Sequence, residues 1–219
     1  MPIRGLAFGY SEPTHAEAGG TRATSARVVQ DAANRALIEL VRERPQQGIS
    51  QLFDQFSGLV NQWVQKLMGS DGDHDDVVQA VFCAMIDSIH QVREPEKLEA
   101  WVRSVTVNAV LQELRRQRFR RALLRRAPMP SATRNFVQDI ETRDLLQRAQ
   151  ALLDAMPAGE RIVFILHHAE SRTLNEVAEL CGYSLATAKR RLARANQRFR
   201  RLAARDNELN RLVEARGKQ

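Results

Sequence analysis

Between positions 184 and 205 the chain carries Lys189, Arg190, Arg191, Arg194, Arg198, Arg200, Arg201 and Arg205 and no acid. A guanidinium is a planar fork of donors that fits a phosphate or the major-groove edge of guanine, so the chemistry on offer is nucleic-acid recognition. With no carboxylate among them, these bases cannot be neutralised by pairs within one helix. A second basic run, 102–126, has eight bases and one acid, and the stretch just before it, 71–101, has eight acids and two bases. The formal net charge of +7 therefore conceals a strong segregation of sign along the chain.

Other chemistries are poorly supplied. Asp71, Asp73 and Asp75 begin like a calcium loop, but Asp76 stands where that loop needs Gly and Phe82 where it needs Glu. Adjacent His167 and His168 point about 100° apart on a helix and share no ligand face. Cys83 and Cys181 are far apart without a CxxC, which supports neither a disulfide framework nor a cysteine-based zinc site. Neither a glycine-rich phosphate loop nor a nucleophile elbow is present. The expectation is a protein without catalytic residues, metal or cofactor.

The elements that must position the charges are helices. Residues 1–25, rich in Gly, Pro, Ser and Thr, have no sustained period and read as a mobile leader. From Ala26 a stripe through Val29, Ala33, Leu37, Leu40 and Val41 predicts a helix that Pro45 to Gly48 interrupts. Ile49 to Met68 resumes the pattern, and Val77, Val81, Phe82, Met85 and Ile89 predict a helix from about Asp75 to His90. Pro95 suits the first turn of a further helix running through Leu98, Trp101, Val105 and Leu114 into Arg115 and Arg116. The apolar period lapses over 119–138, with Pro128 and Pro130, which reads as a linker.

Beyond it, Ile140 to Met156 and Glu160 to His168 are helical, and Thr173 with Glu176 fits a capping box opening a short helix to Leu180. Ser184 then caps a last helix from Leu185 to about Leu202. No strand-like alternation of useful length occurs, so the fold class is all-α, in two small helical domains of residues 26–118 and 139–205, with a tail at 206–219. The 219 residues, 43% of them hydrophobic, are enough for a real core. Without a run of 18 apolar residues or a signal-like leader, the expected location is the cytoplasm.

Short helix, turn at Gly182 and longer helix have the spacing of a helix-turn-helix, whose second helix enters the major groove. Leu185, Ala188, Leu192 and Ala195 should pack inward on Val177, Ala178 and Ile165, which turns Thr187, Arg190, Arg191 and Arg194 outward, with Lys189 and Arg198 as phosphate contacts. Trp101 lies on an apolar stripe and is expected in the core, Asp75 and Asp76 are open to a purely structural role as partners of a helix N-terminal dipole, and Asn108 to one as a buried, hydrogen-bonded residue holding the helix pair together.

Two blocks of residues resemble a known family. Asp75-Asp76-Val77-Val78-Gln79-Ala80-Val81-Phe82, with Trp101-Val102-Arg103-Ser104-Val105-Thr106-Val107-Asn108 and Glu113-Leu114-Arg115-Arg116, is similar to region 2 of extracytoplasmic-function (ECF) sigma factors of RNA polymerase. Leu153-Asp154-Ala155-Met156-Pro157, Leu174-Asn175-Glu176-Val177-Ala178-Glu179 and Thr187 to Ala195 resemble their region 4. The resemblance implies a region 2 bundle and a region 4 helix-turn-helix joined by a flexible linker. It implies core RNA polymerase and promoter DNA as partners, with an anti-sigma factor as a third. The core contact falls on Asp75, Asp76, Gln79 and Phe82, the minus-ten contact on Arg103, Asn108, Gln112, Arg115 and Arg116, and the minus-thirty-five contact on Thr187, Lys189, Arg190, Arg191, Arg194 and Arg198.

This chain departs from the family at Ala80, Ala84, Ile86, Val92 and Gln112. The usual acid is missing at Ala80, the frequent base at Ala84, and the usual aromatics near Ile86 and Val92. The aliphatics at 86 and 92 are expected to take over packing. A rival reading is a helix-turn-helix regulator that binds DNA without polymerase.

Overall fold

The computed structural model describes residues 20–69, 74–124 and 148–206, and every regular element among them is helical. The chain runs through α1 (Gly20–Glu43), α2 (Pro45–Met68), α3 (His74–Ser88) and α4 (Leu98–Leu124), with short 3₁₀ turns at Ile89–Gln91 and Pro95–Lys97 before α4. It continues through a helical segment over 148–154, here α5, then α6 (Ala158–Phe164), a single π turn at Ile165–Ala169, α7 (Leu174–Leu180) and α8 (Leu185–Ala203). The expected leader over 1–19, the first calcium-like aspartates, the linker over 125–138, the start of the second domain and the tail from 207 lie outside the described residues.

Several boundaries differ from the sequence reading for identifiable reasons. The first helix begins at Gly20 rather than Ala26, because Arg22, Ala23, Ala26 and Arg27 are good helix formers even where no apolar stripe marks them. Pro45 does not separate two helices by a loop. It occupies the first turn of α2, where its missing N–H is no loss, and only Arg44 lies between α1 and α2. Residues 119–124, read as linker, continue α4. The helix read over 160–168 widens into the π turn, and Arg172 N–H reaches Leu166 O beyond it.

The first four helices pack around Leu52, Val60, Trp63, Val64, Met85, Val102 and Leu111, all buried. Trp101 is 9% exposed and belongs to this core. Val92 is buried and Ile86 packs against the same cluster, so the aliphatics at these positions pack as expected. In the second half, Ile162, Val163, Leu166, Val177, Ala188 and Ala195 close a smaller core, where Phe164 stacks on Phe199 at 4.8 Å.

The two cores are continuous, because α4 packs directly on α6 and α7. Arg161, 1% exposed, reaches out of α6 to donate to Met68 O at the C-terminal end of α2, while its other terminal nitrogen pairs with Asp154 at 2.8 Å. A cation there meets the negative end of the helix dipole and satisfies a carbonyl that has no partner within the helix. Gly69, at φ 57°, makes the turn beside it. A Cβ there would collide with Gln150 and with the Arg161 guanidinium.

The capping box forms as read. Thr173 Oγ1 accepts from Glu176 N–H at 3.3 Å, and Glu176 Oε2 accepts from Thr173 N–H at 2.8 Å. Burial pushes the Glu176 carboxyl up, but the donors from Thr173 and Arg172 outweigh it and hold the group below its usual range. A lowered folded-state pKa contributes stability that is present above the unfolded value and is lost as pH falls through the folded one. Thr173→Ala should therefore cost about 1 kcal/mol at neutral pH. In urea titrations that deficit should shrink under acid, where Glu176 is protonated.

Candidate nucleic-acid interface

Ser184 caps α8, its hydroxyl accepting from Thr187 N–H at 3.2 Å, so the helix starts where the turn at Gly182, φ 63°, aims it away from α7. Ala188, Leu192, Ala195 and Ala203 form the buried stripe. Leu185 does not join it and is 39% exposed. As the first helical residue its side chain leans toward the N-terminus, past the edge of the domain.

The opposite face presents Lys189, Arg190 and Arg194 to solvent. Arg190 donates to Thr187 Oγ1 at 3.3 Å, which orients both side chains at the exposed end of the helix. Arg191 and Arg198 behave differently from the outward placement read for them. Each lies three residues after a buried alanine, at the edge of the stripe, and each turns inward. Arg198 Nε donates to Glu160 Oε2 at 3.0 Å, and the Arg191 guanidinium lies 4.5 Å from the centre of the Tyr183 ring.

On α4 the predicted minus-ten residues also divide. Gln112, Arg115 and Arg116 are exposed on the second half of the helix. Arg116 lies 3.9 Å from Glu113, the single acid of this basic run, which Arg120 also holds at 2.5 Å. Arg103 is half-buried, paired with Glu99 and placed 5.4 Å over the Trp63 ring. Asn108 is also half-buried and donates to Ser104 O at 2.9 Å, a bond within its own helix. The structure therefore shows Asn108 hydrogen-bonded, but neither fully buried nor, through this bond, joining two helices.

At the start of α3, Asp75, Asp76 and Gln79 are exposed. Ala80, also exposed, leaves the acidic face without a third carboxylate at that position. Phe82 is 9% exposed and its ring meets Phe53 of α2 at 4.8 Å, while Phe53 itself is 49% exposed. Phe53 belongs to the apolar period read for Ile49 to Met68, but it is not among the residues assigned to the core contact, and only its place beside α3 brings it to Phe82.

The histidine pair is held by local bonds, His167 Nδ1 to Arg172 O at 2.8 Å and His168 Nε2 to Asn196 Oδ1 at 2.9 Å. Among the described residues no group of three metal-ligating side chains converges, and no helix is long and apolar enough to cross a membrane.

Residues 52–120 match the family described as Sigma-70 region 2, and residues 146–198 match Sigma-70, region 4. The chain is 27% identical over 135 residues to a probable RNA polymerase sigma factor, RfaY, of Xanthomonas campestris, covering 58% of this chain and 33% of that protein. It is 28% identical over 153 residues to the ECF sigma factor SigE of Mycolicibacterium smegmatis, covering 68% of this chain and 59% of the relative. These matches thus span between a third and three fifths of those two proteins. Among solved structures, the fold is similar to the sigma factor RpoE of Bartonella quintana in complex with the anti-sigma factor NepR, at TM-score 0.51 and 20% identity, over 72% of this chain and 98% of that one. Two family regions in their expected order, on helices whose charged faces are separated as described, place the chain in the family of ECF RNA polymerase sigma factors.

Proposed function

We propose that the chain directs promoter-specific initiation by binding core RNA polymerase through α3 and two promoter elements through α4 and α8. The observation that carries this reading is the placement of three charged faces on three helices. The exposed Asp75, Asp76 and Gln79 form an acidic face suited to steering and registering a basic partner surface. The Phe53–Phe82 pair beside it supplies the apolar contact that such interfaces use as an anchor. Gln112, Arg115 and Arg116 on α4 attract the backbone of the minus-ten element and contact exposed bases. Thr187, Lys189, Arg190 and Arg194 on α8 read the minus-thirty-five element in the major groove.

The protein performs no covalent chemistry in this reading. Its work is differential binding, with polymerase supplying catalysis. An anti-sigma factor is a natural third partner, since RpoE of Bartonella quintana is held by one. The family pairing is tested by affinity capture of core polymerase on the tagged chain. The Asp76→Ala, Gln79→Ala double variant should lose about tenfold or more in association while keeping its thermal unfolding midpoint, because both residues are exposed. Equal capture by the variant would remove the acidic face from the docking surface.

A further inference from the structure

The last turns of α4 leave two large apolar side chains in solvent. Phe119 is 70% exposed and Leu123 72%, the two highest values for large apolar residues among the described residues. They lie four residues apart on one side of the helix, and the spacing of positions 112, 116, 119 and 123 puts them on the same stripe as Gln112 and Arg116. Gln117, which is buried, marks the side of the helix that faces the body of the protein. Around the pair Arg115, Arg116, Arg118 and Arg120 are exposed, and Glu113 is the single acid of this run.

Apolar side chains scattered singly over a surface need no explanation, but a pair aligned with a basic face does. The size of the patch selects its partner. Two side chains are too few for the apolar centre of a protein interface, which covers on the order of 800 Å² on each side, and too few for a helix lying in a membrane surface. They are the right number for a wedge in DNA, where one or two Phe, Leu, Ile or Met side chains push between neighbouring base pairs. The arginines around the pair supply the attraction to the backbone that holds such a wedge in place. The patch is also continuous with the face proposed for the minus-ten contact. Phe119 follows Gln112 by about 10 Å of helix, or roughly three base pairs of B-form DNA.

We propose that Phe119, backed by Leu123, is such a wedge, entering a base step of the duplex beside the minus-ten contact, unstacking it in part and bending the DNA. The proposal rests on the reading of α4 as a DNA-contacting helix. It adds a residue that senses how easily a step deforms rather than which base it carries, and its preferred sites are the easily kinked TA and CA/TG steps.

The test measures binding of the full chain, against salt, to two duplexes of about 30 base pairs, roughly three helical turns, with the same mixed sequence. One is fully paired and the other carries two adjacent central mismatches. A mismatched step is already easier to unstack, so a wedge binds it more tightly. Wild type should favour the mismatched duplex by about three- to tenfold. Phe119→Ala should lose that preference while keeping its affinity for the paired duplex within about twofold, its salt slope and its unfolding midpoint, because it removes no charge and the side chain is exposed. Leu123→Ala should lower the preference in part, and Phe119→Trp should retain it. Arg116→Ala with Arg120→Ala should weaken binding to both duplexes alike and lower the salt slope by about two.

Equal affinity of wild type for the two duplexes would overturn the wedge, as would the same preference in Phe119→Ala. A lower unfolding midpoint in Phe119→Ala would also overturn it, because the side chain would then be covered by the protein itself. Unaltered affinity and salt slope in the arginine variant would count instead against α4 as a DNA-contacting helix, so the two readings fail separately.

Discussion

Arg161→Ala is expected to lower the unfolding free energy by about 2–4 kcal/mol, the largest single-residue loss the fold predicts. The guanidinium is 1% exposed and makes two kinds of bond that nothing nearby replaces, the pair with Asp154 and the donation to Met68 O. Removing it strands a helix-terminal carbonyl in the interior, leaves a carboxylate with one partner fewer, and opens a cavity between α2 and α6. The Asp154 side chain is 21% exposed, so water can reach it, which places the effect toward the lower half of the range. Arg161→Met keeps the aliphatic stem and should lose less than alanine. Urea unfolding followed by far-ultraviolet circular dichroism reads both. Because Arg161 joins the two helical units, the alanine variant should also show a broader or two-step transition, and a single sharp transition at the wild-type midpoint would contradict the account.

The second large effect concerns α8. Arg190→Ala and Arg194→Ala should each reduce binding at the minus-thirty-five element by about 1–3 kcal/mol, or roughly 5- to 150-fold. The residues are four apart on one exposed face, so their contributions should add only in part. The double variant should fall to within about tenfold of the affinity for unrelated DNA. Neither side chain is paired with an acid among the described residues, and both are exposed, so stability should be unchanged. Competition binding against a mutated element separates loss of specificity from loss of general affinity. Equal discrimination by wild type and double variant would remove the two arginines from base readout.

What the sequence makes legible follows the length scale of the signal. The capping box at Thr173 and Glu176, the Ser184 cap and the α7–α8 spacing are local, and each appears where the residues put it. The buried stripe of α8 was readable from its period except at Leu185, where the helix has outrun the domain it packs on. The resemblance to region 2 and region 4 identified the family because two blocks occur in order. The contacts between the blocks were not readable. Nothing in the neighbourhood of Arg161 says that it will cap a helix 93 positions away in the chain, and nothing around Tyr183 marks it as a partner for Arg115.

The charge count had a related blind spot. Eight bases without an acid over 184–205 set Arg191 outward and made Arg198 a phosphate contact, yet Arg198 finds Glu160 on α6 and Arg191 finds an aromatic face. Position relative to the buried stripe decides this, since residues three after a buried alanine lie at its edge. Arg103 is the same case on α4, where Glu99 and Trp63 take up its charge. The exposed set Gln112, Arg115, Arg116, Lys189, Arg190 and Arg194 is thus a narrower candidate surface than composition alone suggests.

On the proposed reading, this chain confers promoter specificity on core polymerase. Run-off transcription with purified core enzyme, on genomic fragments that include the region upstream of the chain's own coding sequence, tests it most directly. The expected result is a discrete transcript that requires the chain and is lost in the Asp76→Ala, Gln79→Ala variant. Tight binding of the chain to such a fragment, with core enzyme neither associating nor yielding a defined transcript, would contradict it.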